Sequence, residues 1–126
     1  MAWPTEVYVA TSYRGVYHTP SFTPPDVATQ PVWAAANDGL ASTSVKVFAL
    51  DPFHQAERQY CLLTNGTLYK RESGEAWASI LTPAQARTAC GIATGQPTAF
   101  CCDTNADGTL YVLHTGDVLD DDPYVV

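Results

Sequence analysis

The chain has 126 residues, enough for one domain with a modest core, and 46% of them are hydrophobic, which excludes a chain that is disordered by composition. Thirteen acidic residues against six basic ones give a formal charge of −7, so the sequence predicts no nucleic-acid partner and no anionic membrane surface. No apolar run approaches the roughly 20 residues of a membrane-spanning helix.

The first residues, "MAWPTEVYVA", lack the basic start and long apolar stretch of a secretion signal. The chain is therefore expected either not to use that export route or to be numbered from a processed start. The low charged fraction, 15%, slightly favours an extracellular, cell-surface or assembled-particle setting.

Short alternating runs bounded by turn residues predict strands throughout the chain. In the first segment, about residues 5–36, strands are expected at Val7–Ala10, Gly15–His18 and Val32–Ala35, with a proline-rich loop before the last one. The second segment, about residues 43–81, is the most complete. Its four predicted strands are Val45–Leu50, Gln59–Thr64, Thr67–Arg71 and Ala76–Ile80.

A short helix is predicted at about residues 82–91, because Thr82 and Gln85 have the spacing of a capping box. Pro83 suits the first helical position and Gly91 suits the end. A third segment, about residues 97–126, follows. It carries predicted strands at Thr98–Asp103, at Thr109–His114, near Asp117–Leu119, and a short fourth one in the tail "DDDPYVV".

The segments repeat one another. Phe48 and Asp51 of the second segment match Phe100 and Asp103 of the third, and Gly15, Gly66 and Gly116 recur at intervals of about 50 residues. Four antiparallel strands in about 40–50 residues are typical of a propeller blade. The sequence therefore predicts one all-β domain, a β-propeller-like array of about 2.5–3 four-stranded blades with one short helix.

Two stretches carry a family resemblance. "VWAAANDGLASTSVKVFALDP" (Val32–Pro52) and "RQYCLLTNGTLYKRESGEAW" (Arg58–Trp77) resemble the BNR or Asp-box β-propellers, which include sialidases, sortilin-type receptors and xyloglucanase-like hydrolases. The structural turn of that family corresponds here to Glu72, Gly74 and Trp77, with Glu72 standing where the family has Asp. The resemblance implies about six to eight blades in a closed ring, so it implies a homo-oligomer or the rest of a larger propeller as partner.

The resemblance to sialidases also suggests chemistry, which the residues do not favour. Sialidase-like catalysis needs an arginine cluster, and the arginines are scattered along the chain. Four acidic residues are candidates for a glycosidase carboxylate pair, and each is interpreted as structural: Asp38, Asp51, Glu72 and Asp103. The predicted function is a non-enzymatic structural or protein- or glycan-binding propeller module. The alternative is a fragment of a glycan-processing enzyme.

"DTNADG" resembles the start of a calcium loop, with Asp103, Asn105 and Asp107 as candidate ligands. The twelfth position holds His114 where a bidentate Glu is needed, so a plain turn is favoured over calcium, and no other cofactor is predicted. The histidines His18, His54 and His114 have no metal-ligand spacing.

The four cysteines form no Cys-x-x-Cys pair, which argues against a zinc ribbon. They are interpreted as small buried hydrophobic residues, with one disulfide between Cys61 or Cys90 and one of Cys101 and Cys102 as the alternative. Trp33 and Trp77 occupy matching places and are expected to pack between strands rather than to stack on a glycan.

Overall fold

The computed structural model describes residues 7–19, 32–115 and the strand at 124–125. Within these ranges the chain forms ten strands and one helix, and every pair of neighbouring strands is antiparallel. The strands form three separate sheets, numbered I, II and III in chain order. The mostly-β fold with one short helix, expected from the sequence, is confirmed. No helix in the described residues is long and apolar enough to cross a membrane.

Sheet I contains three strands in the order β1-β2-β3. These are β1 (Val7–Thr11), β2 (Gly15–Thr19) and β3 (Ala34–Ala35). The predicted proline-rich loop lies mostly outside the described residues. After β3 the segment "NDGL", residues 37–40, leads to sheet II, and Asn37 Oδ1 accepts a hydrogen bond from the Val16 backbone N–H at 2.7 Å.

Sheet II is a four-stranded meander in which each strand pairs with the next one along the chain. Its strands are β4 (Val45–Asp51), β5 (Gln55–Leu63), β6 (Leu68–Glu72) and β7 (Ala78–Leu81). The β5–β6 turn carries the Asn-Gly pair that favours tight hairpins. There the Asn65 side chain accepts a hydrogen bond from the Thr67 backbone N–H at 2.9 Å, and Gly66 has a φ of +89°.

Helix α1 (Pro83–Cys90) connects sheets II and III. Both hydrogen bonds of the capping box are present: Thr82 Oγ1 accepts from Gln85 N, and Gln85 Oε1 accepts from Thr82 N. Gly91 ends the helix in the left-handed region, with a φ of +71°. The predicted start and end of this helix are therefore confirmed together with their chemistry.

Sheet III has the order β10-β9-β8, with β8 (Pro97–Cys102), β9 (Leu110–His114) and β10 (Tyr124–Val125). The tail does form a short strand, but β10 pairs directly with β9 and is therefore the third strand of the sheet. The prediction that it would be a fourth strand is corrected by this pairing. The strand predicted near Asp117–Leu119 lies outside the described residues.

The three sheets stack, with sheet II in the middle. Between sheets I and II lies an apolar cluster with the buried residues Val16, Val45, Cys61, Leu63, Tyr69 and Trp77. Between sheets II and III lies a second cluster with the buried residues Tyr60, Leu62, Leu68, Phe100 and Val112. We call the side of a sheet that points to the next sheet in chain order its front face, and the opposite side its back face. In sheet III the back face packs on sheet II and the front face is the side away from it.

Sheets II and III have the same strand register. Phe48 pairs with Cys61 and Ala49 with Tyr60, just as Phe100 pairs with Val112 and Cys101 with Tyr111. Even the irregularity recurs, because the register shifts between Val45 and Val47 in one sheet and between Pro97 and Ala99 in the other. The predicted matches of Phe48 with Phe100 and of Asp51 with Asp103 agree with this register.

Sheets I and II also share a register. Tyr8 pairs with His18 and Ala10 with Val16, as Tyr60 pairs with Lys70 and Leu62 with Leu68. Thr11 pairs with Gly15, and at the equivalent place Leu63 N–H donates to the carbonyl of Thr67 at 3.0 Å. Gly15 therefore corresponds to Thr67, and the predicted match of Gly15 with Gly66 is wrong by one residue.

The last strands of sheets I and II correspond as well. His18 pairs with Ala34, as Lys70 pairs with Ala78. The residues that precede these two alanines are Trp33 and Trp77, so the two tryptophans occupy equivalent positions.

Candidate functional site

Trp77 of the predicted structural turn connects sheet II to the segment that precedes the sheet. Its side chain is 4% exposed, and its Nε1–H donates to the carbonyl of Ala36 at 2.7 Å. Its backbone N–H donates to the carbonyl of Asp38 at 2.7 Å. Gly39 lies against the same tryptophan so closely that a Cβ there would sit 2.3 Å from the Trp77 carbonyl oxygen. In this turn Trp77 therefore has a packing role.

Glu72 and Gly74 both lie in the predicted turn, Gly74 through its backbone conformation and Glu72 through its backbone carbonyl. Gly74 has a φ of +81°, a conformation that suits glycine. The turn is closed by the backbone, because Glu75 N–H donates to the carbonyl of Glu72 at 3.0 Å. The Glu72 carboxylate points elsewhere: its Oε1 accepts from Arg58 Nε at 2.9 Å and lies 3.6 Å from Lys70 Nζ.

Two of the three candidate calcium ligands, Asp103 and Asp107, contact different partners. Asp103 Oδ1 accepts from the Asn105 backbone N–H at 2.7 Å, and its Oδ2 accepts from the Tyr111 hydroxyl at 2.8 Å. Asp107 instead contacts the imidazole of His54, with Nε2 at 3.0 Å from both carboxylate oxygens. The loop is thus organised as a turn that holds Tyr111, and Asp107 belongs to a contact with sheet II.

A charged cluster joins sheets II and III at this turn; its members are Asp51, His54, Arg58, Glu72 and Asp107. Arg58 is at its centre. Its Nη1 lies 3.4 Å from Asp107 Oδ1 and 3.9 Å from Asp51 Oδ2, while its Nε binds Glu72. Neighbouring Glu72, through its hydrogen bond, raises the pKa of Arg58. The sequence assigned His54 no partner, because its contact with Asp107 joins residues 53 positions apart.

Asp51 is the buried member of the charged cluster. Its Oδ1 accepts hydrogen bonds from the backbone N–H groups of Phe53 and His54, at 2.7 and 3.0 Å, and its Oδ2 accepts from the Tyr60 hydroxyl at 3.1 Å. Burial acts to raise the pKa of Asp51, but these hydrogen bonds outweigh it and the pKa is lowered. Burial and the bond to Asp51 together raise the pKa of Tyr60 to about 12.

The charged cluster is a poor site for either a metal ion or acid–base catalysis. Asp51, His54 and Asp107 each have one potential ligand atom within 4.8 Å of those of the other two. The Arg58 guanidinium already supplies positive charge beside both carboxylates. Because Asp51 accepts three hydrogen bonds and is buried, it is not accessible to a substrate. Of the other candidate carboxylates, Asp103 accepts from the Tyr111 hydroxyl of its own sheet, and Asp38 accepts from the Trp77 backbone N–H through its main-chain carbonyl.

The front face of sheet III is apolar and partly exposed. It comprises Ala99, Cys101, Tyr111 and Leu113. The register makes these residues equivalent to Val47, Ala49, Tyr60 and Leu62, which form the front face of sheet II and pack against sheet III. Tyr60 is 2% exposed, whereas its equivalent Tyr111 is 47% exposed.

The back face of sheet I, at the other end of the stack, is also apolar and partly exposed. It comprises Val9, Tyr17 and Trp33, which are equivalent to Cys61, Tyr69 and Trp77 on the back face of sheet II. Those three residues of sheet II are buried against sheet I. Trp33 is 40% exposed. The expectation that Trp33 packs as Trp77 does is therefore not met within the described chain.

The cysteines are all free, so the disulfide considered from the sequence is not formed. Cys61 is buried as expected, and burial raises the pKa of its thiol to about 12. Cys101 is exposed, because it lies on the front face of sheet III, and the expectation that the cysteines are buried is wrong there. Cys102 points to the opposite side and packs against sheet II, as alternation along a strand requires.

No family model, no curated protein and no solved structure matches this chain.

Proposed function

We propose that this chain is a non-enzymatic structural or binding module, a segment of a β-propeller of the Asp-box type in which each sheet is one blade. Its outer faces, the back face of sheet I and the front face of sheet III, then serve to bind further blades. The observation that carries the proposal is the equivalence of Tyr60 and Tyr111, which differ in exposure, 2% against 47%, and not in register.

The stacking of the sheets supports a repeating architecture. Sheet II contributes Tyr60 and Leu62 from its front face and Cys61 and Tyr69 from its back face, and both sets are buried by a neighbouring sheet. In such arrays each unit buries its apolar faces only against its neighbours, so the end units present the same faces without cover. Exposed apolar patches of this kind are typical of interaction surfaces.

A packing role also accounts for the exposed aromatic residues without a sugar ligand. Trp33 and Tyr111 each repeat a residue that is buried elsewhere in the chain, namely Trp77 and Tyr60. Their positions are therefore explained by the repeat. The buried, fully hydrogen-bonded state of Asp51 in the charged cluster supports the non-enzymatic part of the proposal.

A measurement of mass combined with a hydrophobic dye tests the proposal. Purified chain should be either heavier than the 13.6 kDa monomer, with its outer faces covered, or a monomer that binds the dye anilinonaphthalene sulfonate. In the second case Tyr111→Asp should reduce dye binding. Ala84→Asp, which adds the same charge at an exposed position of α1, should leave it unchanged.

Two results would contradict the proposal. The first is a folded 13.6 kDa monomer that binds no dye, because its outer faces would then not be available packing surfaces. The second is release of sugar from a sialoside or a β-glucan by the purified chain, which would support the glycan-processing alternative.

A further inference from the structure

The two outer faces of this chain are complementary to each other. Within the chain, front faces meet back faces twice: sheet I presents Tyr8, Ala10 and Val16 to sheet II, and sheet II presents Tyr60 and Leu62 to sheet III. The exposed front face of sheet III repeats the front face of sheet II. The exposed back face of sheet I repeats the back face of sheet II.

We infer that the front face of sheet III binds the back face of sheet I of a second copy of this chain, so that copies join head to tail. This inference rests on the proposed function, since it names the partner of the outer faces. A second copy is the partner that the chain itself provides, because it carries the surface whose equivalent already packs on a front face of this type. The new contact would place Tyr111 and Leu113 against Val9, Tyr17 and Trp33, continuing the interfaces between sheets I, II and III.

The residues of the two faces suit such a contact. None of Ala99, Cys101, Tyr111 and Leu113, and none of Val9, Tyr17 and Trp33, carries a formal charge. Aromatic residues are enriched at protein interfaces because they bury a large area at low entropic cost. On the front face the Tyr111 hydroxyl already donates to Asp103 at 2.8 Å, as the Tyr60 hydroxyl donates to Asp51 at 3.1 Å. The Tyr111 hydroxyl therefore needs no new partner in such an interface.

The overall charge of the chain predicts how the association depends on salt. Each chain has a formal charge of −7, so two copies repel each other at long range. Added salt screens this repulsion while leaving the apolar contact intact. Head-to-tail association should therefore become tighter as salt is raised, the opposite of an association through ion pairs.

The test uses two variants that damage different faces. Tyr111→Asp places a charge on the front face of sheet III, and Val9→Asp places one on the back face of sheet I. In a head-to-tail contact either variant alone should weaken association by at least about 30-fold, the effect of losing an interface hot spot. Ala84→Asp is the control of equal charge, on an exposed part of α1, and should associate as the unchanged chain does.

Mixing the two variants gives the decisive result. Tyr111→Asp retains an intact back face and Val9→Asp retains an intact front face, so an equimolar mixture should form a one-to-one dimer through one undamaged contact. A contact between two like faces predicts otherwise, since one of the variants would then associate on its own and the mixture would form no mixed dimer. Native mass measurement separates these cases, and circular dichroism of each variant checks its fold.

The exposed thiol of Cys101 provides a second measurement that does not depend on a variant. Maleimide labelling followed by peptide mapping should show Cys101 protected in the associated state and reactive on dilution, while Cys90 on α1 labels equally in both. A monomer with reactive Cys101 at all concentrations would overturn the inference but leave the outer faces free for another chain. A monomer with protected Cys101 would overturn it too, because a segment of the same chain would then cover the face.

Discussion

Tyr60 and Tyr111 make the same hydrogen bond in successive sheets, and only one of them is buried. Each hydroxyl donates to an aspartate at the end of the preceding strand, Tyr60 to Asp51 at 3.1 Å and Tyr111 to Asp103 at 2.8 Å. Each aspartate also accepts from the backbone N–H two residues later. The two tyrosines thus make the same hydrogen bond in a buried and in an exposed environment. Comparing them measures how much burial adds to the contribution of this bond to stability.

Tyr60→Phe should destabilise the chain more than Tyr111→Phe. Removal of the Tyr60 hydroxyl leaves Asp51 Oδ2 short of a donor in a buried place, which costs about 1.5–3 kcal/mol for a hydrogen bond to a charged group. The Tyr111 hydroxyl can be replaced by water because its surroundings are exposed, so the loss there should be small. Urea unfolding of both variants at one protein concentration measures the difference. Equal losses would show that burial by sheet III does not strengthen the bond.

Asp51 should contribute stability at neutral pH that is lost in acid. Its pKa is lowered in the folded chain, because hydrogen bonds from Phe53, His54 and Tyr60 outweigh the opposing effect of burial. The pKa of an aspartate in an unfolded chain is about 3.9. The stabilisation is therefore fully present above the pKa of the unfolded chain. It disappears as the pH falls through the lower pKa that Asp51 has in the folded chain.

Asp51→Asn tests this pH dependence. The variant should be less stable than the unchanged chain at pH 7, and the difference in free energy of unfolding should shrink as the pH is lowered below about 4. Urea unfolding across that range measures both curves. A difference that stays constant with pH would show that the Asp51 carboxylate is not the titrating group.

The apolar cluster, rather than the charged cluster, should hold sheets II and III together. Phe100 is buried against Tyr60, with ring centroids 6.3 Å apart, so Phe100→Ala should cost about 3–5 kcal/mol. Asp107 is half exposed, and surface ion pairs contribute about 0–1 kcal/mol. Asp107→Asn should therefore have a small effect that declines with added salt. The expectation fails if Asp107→Asn proves as costly as Phe100→Ala.

Gly39 and Gly74 should differ in how well they tolerate alanine. Both have positive φ angles, +94° and +81°, which cost a residue with a Cβ about 1–3 kcal/mol. Nothing lies within 4 Å of a Cβ at Gly74, whereas a Cβ at Gly39 would lie 2.3 Å from the Trp77 carbonyl oxygen. Gly74→Ala should therefore show the conformational cost alone, and Gly39→Ala a larger loss. Thermal unfolding of the two variants measures the gap, and matching melting temperatures would argue against the close contact.

The sequence predicted the local features of this fold because their causes are local. Asn65-Gly66 determines a hairpin, and Thr82 with Gln85 determines a helix start, through contacts within a few residues. The repeat was visible in Phe48 and Phe100 because strand register is preserved between sheets II and III. The Gly15 match failed by one residue because the glycine with a positive φ is the last residue of one turn, Gly66, and the first residue after the other turn, Gly15. Only the backbone pairing identifies Thr67 as the equivalent of Gly15.

The site could not be predicted in the same way, because its contacts are distant along the chain. The spacing of Asp103, Asn105 and Asp107 resembles a calcium loop, yet the side chain of Asp103 is used by Tyr111 and that of Asp107 by His54. The exposure of Tyr111 and Trp33 could not be predicted either. A strand pattern shows which residues share a face of a sheet but not whether another sheet covers that face.

The tie between Trp77 and the carbonyl of Ala36 has a consequence for the order in which the chain folds. The two residues are 41 positions apart, and the segment between them includes the first three strands of sheet II. During synthesis Ala36 leaves the ribosome well before Trp77, so the cluster between sheets I and II stays incomplete until sheet II is almost finished. The front face of sheet I therefore gains its full apolar cover only once sheet II is present.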